Sequence, residues 1–282
     1  MHLTDHLFGN FQRRWTAPWI VAMLALCLPG IAMADTTGLV RLTDRDDLLG
    51  WEAVGRLDIG GSGYCTGTLI APDLVLTAAH CVYDRKTHNL HLPDTLTFRA
   101  GLRDGVSVAD RKVAQIAAAP EYDPRAVHNV GRVRHDVALL RLVAPITSRD
   151  ADPFILYRGQ SVGTQVSVTS YGRGRDEALS RQRRCSIVAQ ADGLMAFDCD
   201  VTFGSSGAPV FVKSGTRGRI VSVISGGGTV GGQEVALGMA LPEVVARLKT
   251  RLRAALRPTT ARIQRLTVGG RNSSTGARFI RN

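Results

Sequence analysis

The 282-residue chain contains no Cys-x-x-Cys pair, and its last histidine is His135. The first absence argues against a thiolate zinc site or a thiol–disulfide exchanger. The second bears on "FGSSGAPV", residues 203–210, because no histidine follows its two serines to act as a base. An α/β-hydrolase, which runs nucleophile, acid, histidine in chain order, is therefore excluded, and Gly204-Ser205-Ser206-Gly207-Ala208 only nearly matches its elbow. No apolar run has bilayer length: Trp19 to Ala34 is short and is interrupted by Pro29 and Gly30. From Trp51 to Leu241 no helical pattern lasts long enough to build a βαβ unit, and no internal repeat is evident. Acidic residues are missing from residues 257–282, which carry six arginines, at 257, 262, 265, 271, 278 and 281.

At the other end, Arg13 and Arg14 precede the apolar run, which closes on Ala32-Met33-Ala34. This reads as a secretory signal, residues 1–34, cut before Asp35, with a membrane anchor as the alternative. The segment holds two arginines and one aspartate, so its removal lowers the net charge from +11 to +10. It also removes Cys27 and leaves Cys65, Cys81, Cys185 and Cys199. An even number of cysteines in an exported chain, secreted or periplasmic, favours two disulfides. A Cys65–Cys81 bridge would close a loop of about 15 residues and stabilise by roughly 3 kcal/mol in the chain-entropy model. The basic tail reads as a solvated, disordered segment or as an arm for anionic surfaces; without an aromatic platform it does not specify nucleic-acid binding.

Between these ends the chain reads as short β-rich runs separated by glycine, proline and aspartate. They include Tyr64–Ile70, Leu74–Thr77, Leu96–Ala100, Val137–Leu142, Gln165–Tyr171, Pro209–Val212 and Ile220–Ser225. This spacing predicts an all-β sandwich or barrel. Residues 145–163 are strand-poor and would join two β units, and helical periodicity enters only over about 241–256, with Pro242 at a helix-start position.

Two further stretches carry chemistry. In Leu74-Val75-Leu76-Thr77-Ala78-Ala79-His80-Cys81 a buried strand ends in small residues and presents a histidine beside a cysteine that could clamp it. In His135-Asp136-Val137-Ala138-Leu139-Leu140-Arg141-Leu142 an aspartate introduces an apolar strand, and a buried carboxylate needs a partner such as a histidine N–H. Either residue alone is more simply a packed histidine or a strand-capping aspartate. Their order, His80, Asp136, Ser206, is the chymotrypsin order and not that of subtilisin.

With "LTAAHC", "HDVALLRL" and "GSSGAP" in place, and "VTSYGRG" at 168–174, the chain resembles the trypsin-like serine proteases, in a bacterial secreted branch related to the glutamyl endopeptidases. The resemblance covers about residues 50–256. It implies two six-stranded antiparallel Greek-key barrels, one over about 50–145 and one over about 155–240, with a C-terminal α-helix, all within a protease domain of residues 35–256. It implies peptide or protein substrates, no cofactor or metal, and a catalytic triad of His80, Asp136 and Ser206. Gly204 and Ser206 would form the oxyanion hole, and Ser225, Gly226 and Gly227 the edge that pairs with substrate.

Some positions depart from the family pattern. Ser205 stands where zymogens of the family carry the aspartate that receives a freed amino terminus, so that activation switch is expected to be absent. The histidine that confers glutamate specificity in the second barrel has no counterpart after His135. Asp200 matches the position that selects arginine or lysine in trypsin, although Cys199 beside it alters the loop, and a plain loop aspartate is the competing reading. By elimination and proximity, Cys185–Cys199 is the second disulfide. A non-catalytic binding protein on the same fold is the alternative function; its hallmark, a lost triad residue, is missing here.

Overall fold

The computed structural model describes residues 37–255, apart from 45, 128, 160 and 216. The expected signal segment and the basic tail lie outside the described residues. In chain order the strands are β1 (Leu39–Arg41), β2 (Val54–Ile59), β3 (Gly63–Ala71), β4 (Leu74–Thr77), β5 (Leu96–Ala100), β6 (Ala109–Ala118) and β7 (Ala138–Leu142). There follow β8 (Gln165–Gly172), β9 (Arg175–Ala191), β10 (Leu194–Phe197), β11 (Pro209–Ser214), β12 (Arg217–Val230) and β13 (Gln233–Met239). A short helix α1 (Val130–Arg134) precedes β7, and α2 (Pro242–Ala255) follows β13.

The first six strands after β1 close into a barrel in the order β2-β3-β4-β7-β6-β5, every neighbour antiparallel. The remaining strands form the sheet β1-β9-β10-β13-β12-β11-β8, and a further β8–β9 pairing brings six of them into a ring with β1 added outside. The two-barrel expectation holds. Among the described residues no strand occupies 145–163, where the sequence predicted the join, and an isolated bridge pairs Leu156 there with Ile220.

Each barrel has its own apolar filling. Leu57, Leu69, Leu76, Phe98 and Leu139 are fully buried in the first, and Val168, Ile187, Phe197 and Val210 in the second. Each such side chain contributes about 1.5–3 kcal/mol relative to exposure. Trp51, Phe154 and Phe211 pack together, with centroid separations of 5.7, 5.2 and 4.6 Å. The barrels are also tied by a polar bond: buried Tyr171, in β8, donates its hydroxyl to the carbonyl of Leu102 at 2.8 Å. Burial pushes that phenol far up, which keeps it a donor. Helix α2 buries Val244, Val245, Leu248 and Leu252, a three- and four-residue spacing, and Arg251 donates to the carbonyl of Ala118 in β6 at 3.2 Å. Among the described residues no helix is long and apolar enough to cross a membrane.

Candidate active site

Strand β4 is buried along its whole length, and Ala78 and Ala79 after it are fully buried. These small side chains let the chain turn against the barrel wall, and a single 3-10 turn, Ala79–Val82, presents His80. The Cys65–Cys81 disulfide, with Cα atoms 6.2 Å apart, fastens that turn to β3. His80 is held twice by one residue: its backbone N–H donates to Asp136 Oδ1 at 2.7 Å and its Nδ1–H to Oδ2 at 2.6 Å. An ionised carboxylate only accepts, so the proton lies on Nδ1 and Nε2 carries the free lone pair.

Asp136 owes its position to the turn before β7. Helix α1 is capped by the Asn129 side chain, which accepts from the N–H of Arg132 at 2.9 Å, and the N–H of Asp136 donates to the carbonyl of Val133 at 3.2 Å. The carboxylate is 2% exposed, and the hydroxyl of Ser225 donates to its Oδ2 at 2.5 Å. Burial alone would push this carboxyl up; the attraction of the His80 ring when it is protonated, with the hydrogen bonds from His80 and Ser225, outweighs it and holds the group below its ordinary value.

The two serines of residues 203–210 have different surroundings. Ser205 is fully buried; its hydroxyl donates to Ser170 Oγ at 3.1 Å and accepts from the N–H of Thr202 at 3.3 Å. Ser206 is partly buried and lines the same cleft as His80, a cavity of about 750 Å³. The segment is fastened to the first barrel by Thr66 of β3. Its N–H donates to the carbonyl of Ser206 and its hydroxyl to the carbonyl of Gly204, both at 2.8 Å. Among the described residues the N–H groups of Gly204 and Ser206 have no acceptor of their own. Gly204 and Gly207 take φ of +93° and +76°. A side chain at the first would strike the Tyr64 ring, and at the second Thr77 Oγ1 and the carbonyl of Thr66.

The remaining expected residues are distributed unevenly. Ser225 to Gly227 lie in β12, where β11 pairing ends at Val223 and β13 pairing continues, with a register shift between Ile224 and Gly226. Ser225 reaches Asp136 through its side chain, a contact that the strand pattern did not reveal. Asp200 is exposed, its N–H donates to Gln182 Oε1 at 2.7 Å, and it is not among the residues lining the cleft of His80 and Ser206. The Cys185–Cys199 disulfide forms beside it, with Cα atoms 5.2 Å apart. Sequence reasoning missed Thr66 and Ser170, the buried hydroxyls that hold the serine loop, and Thr77, whose hydroxyl donates to the carbonyl of Thr66 at 2.9 Å; the available signal for Thr66 was the pair of threonines inside the apolar run Cys65–Ala71. The described donor groups close enough to hold a metal ion are Cys65–His80–Cys81 and Cys185–Asp198–Cys199, and all four sulfurs are spent in disulfides.

These features can be set beside known proteins. A glutamyl endopeptidase of Bacillus licheniformis is 28% identical over 156 residues, 55% of this chain and 47% of that protein. Serine protease 56 of Homo sapiens is 36% identical over 97 residues, 34% of this chain and 14% of that protein, and brachyurin of Leptuca pugilator is 26% identical over 162 residues, 55% and 64% respectively. The chain thus spans less than two thirds of these relatives. A solved Glu endopeptidase in complex with MPD shares the fold, with a TM-score of 0.64 at 19% identity over 77% of this chain and 97% of that one. The family model described as Trypsin matches residues 47–247, and the chain belongs to that family.

Proposed function

We propose that the protein is a serine endopeptidase that cleaves peptide bonds through an acyl-enzyme. The observation that carries this reading is the contrast between the serines: Ser206 shares a cleft with a histidine oriented by a buried aspartate, while Ser205 is sealed away. In the family's mechanism Ser206 Oγ attacks the carbonyl while His80 Nε2 takes its proton. The imidazolium then gives that proton to the leaving amine, the acyl-enzyme remains, and water activated by His80 releases the acid. Asp136 fixes the ring's tautomer and stabilises the imidazolium. Oxyanion charge falls to the two N–H groups left without acceptors, Gly204 and Ser206, each worth about 3–4 kcal/mol in the transition state. The acyl part of the substrate adds as a strand along Ser225–Gly227.

Finer features of the reading are these. Asp200 favours arginine or lysine on the acyl side of the cut. Although one relative bears the name glutamyl endopeptidase, no histidine follows His135 here to select glutamate. Residues 1–34 act as a secretory signal, residues 35–256 form the protease domain, and the basic tail contacts anionic surfaces. A fluorophosphonate probe tests the central claim: peptide mapping should find the label on Ser206, and His80→Ala should abolish it. Label on Ser205, or no label together with no cleavage of a diverse peptide library, would leave the non-catalytic binding protein as the better account. The shift of a cleaved precursor to a new amino terminus at Asp35, read by amino-terminal sequencing, tests the signal, and salt-dependent vesicle binding by the full chain tests the tail.

A further inference from the structure

The cleft extends from Ser206 along Tyr64 and Cys65, away from Ser225, and its wall there carries an imbalance of charge. Arg173 lines it; its guanidinium lies 4.3 Å from the centre of the Phe203 ring, which is 65% exposed. The Arg173 backbone is pinned, its N–H directed at the carbonyl of Phe203 (2.7 Å) and at Thr202 Oγ1 (3.2 Å). No carboxylate among the described residues pairs with its side chain. Covering a phenylalanine would by itself account for Arg173.

It does not account for Arg175. Both terminal nitrogens of that guanidinium are buried without a hydrogen-bond partner, wedged against Gly172 beside Thr202. Burial lowers its pKa, and Asp200 is the only carboxylate that counters this. A partly buried cation whose terminal nitrogens lack a partner is costly in the free protein. Arg56, 5.6 Å from the centre of the Tyr64 ring, is by contrast paired with two carboxylates, Asp58 at 2.6 Å and Glu177 at 2.8 Å. Along the cleft itself three cations, Arg85, Lys86 and Arg173, face two carboxylates, Asp84 and Asp176. Asp84 is held in place by the N–H groups of Lys86 and Thr87 and keeps its charge. The arm carries one more cation than carboxylate.

We propose that this arm of the cleft selects substrates with aspartate or glutamate in the first two positions after the cut bond, Arg173 pairing with the carboxylate and Arg175 attracting it from behind the wall. The inference rests on the protease reading, because it places the acyl segment on Ser225–Gly227 and so directs the leaving segment along Tyr64. An exposed arginine–carboxylate pair contributes little alone, whereas a charge-assisted bond in a partly closed cleft gives discrimination on the order of tenfold.

The test uses quenched-fluorescence peptides with one acyl half and glutamate, alanine or lysine in those two positions. For the wild-type protein the kcat/KM ratio of glutamate to alanine should be on the order of tenfold and should shrink as salt is raised. Arg173→Ala should bring the ratio close to unity, Arg173→Glu should reverse the preference toward lysine, and Arg173→Lys should keep part of it; thermal melts confirm that each variant is folded. A wild-type ratio at or below unity, or a ratio unchanged in both Arg173→Ala and Arg173→Glu, overturns the proposal. Fluorophosphonate labelling of wild-type Ser206 reads the protease assignment separately. Should that fail, fluorescence polarisation of the same peptides decides this one: tighter binding of the glutamate peptide, lost in Arg173→Ala, supports it, and equal binding refutes it.

Discussion

Replacing Thr66 by valine keeps the shape of the side chain and removes one hydroxyl from the serine loop's support. That hydroxyl donates to the carbonyl of Gly204 at 2.8 Å and accepts from the N–H of Tyr171 at 3.0 Å, and Thr66 is fully buried. The orphaned N–H lies in the interior and costs about 1–3 kcal/mol; the Gly204 carbonyl is partly accessible and loses nearer 0.5–1.5 kcal/mol. The sum is about 1.5–4.5 kcal/mol. In a domain of this size each kcal/mol lowers Tm by about 2–4 °C, so a fall of about 3–18 °C is expected. Thr68→Val is the control: its hydroxyl makes one buried bond, to the carbonyl of Ala53 at 3.2 Å, remote from the loop. It should cost about 1 kcal/mol and leave kinetics intact. Thr66→Val should in addition lower kcat more than it raises KM, because loosening Gly204 would displace the N–H proposed as an oxyanion donor. Calorimetric melts and steady-state kinetics read both effects. A Thr66→Val protein as stable and as fast as the Thr68→Val control would refute the idea that Thr66 braces the site.

Two other expectations concern charge. Because the Asp136 carboxyl lies below its ordinary value in the folded protein, it adds stability above about pH 4 that is lost as pH falls through its lower folded value, so the stability gap between wild type and Asp136→Asn should close in that acid range. Denaturant melts from neutral pH downward measure this, and a gap that widens toward acid would show the sign to be wrong. Asp200→Ser should erase any preference for arginine or lysine before the cut; since Asp200 is exposed, the wild-type preference should be modest and should weaken with salt, and a preference that survives the mutation assigns Asp200 to the loop alone.

The parts of this molecule readable from sequence were those specified by local pattern. Leu74–Thr77 and Leu96–Ala100 are apolar or alternating runs, and both are strands with the predicted bounds. The helix after Leu241 announced itself by proline at its start and by its buried spacing. Strand β9 was not singled out, because its seventeen residues include Arg175, Arg181, Arg183 and Arg184 and its burial pattern changes along its length. It pairs with β1, β8 and β10 over different stretches, so no single alternation describes it. At the site, motif order brought out His80, Asp136 and Ser206, whereas Thr66, Ser170 and the hydroxyl of Ser225 act through contacts between segments far apart in the chain. Such contacts leave no periodic trace in a sequence.

The bonds that cross between the barrels have a consequence for the order of events when the chain folds. His80, Asp136 and Thr66 belong to the first barrel, and Ser206, Gly204 and Ser225 to the second. A chain with one half formed holds a histidine and an aspartate without a serine, or a serine on a loop without its brace. On the proposed reading, competence to cut arrives with the last docking step and departs with the first undocking one, so unfinished copies in a population would not cut their finished neighbours.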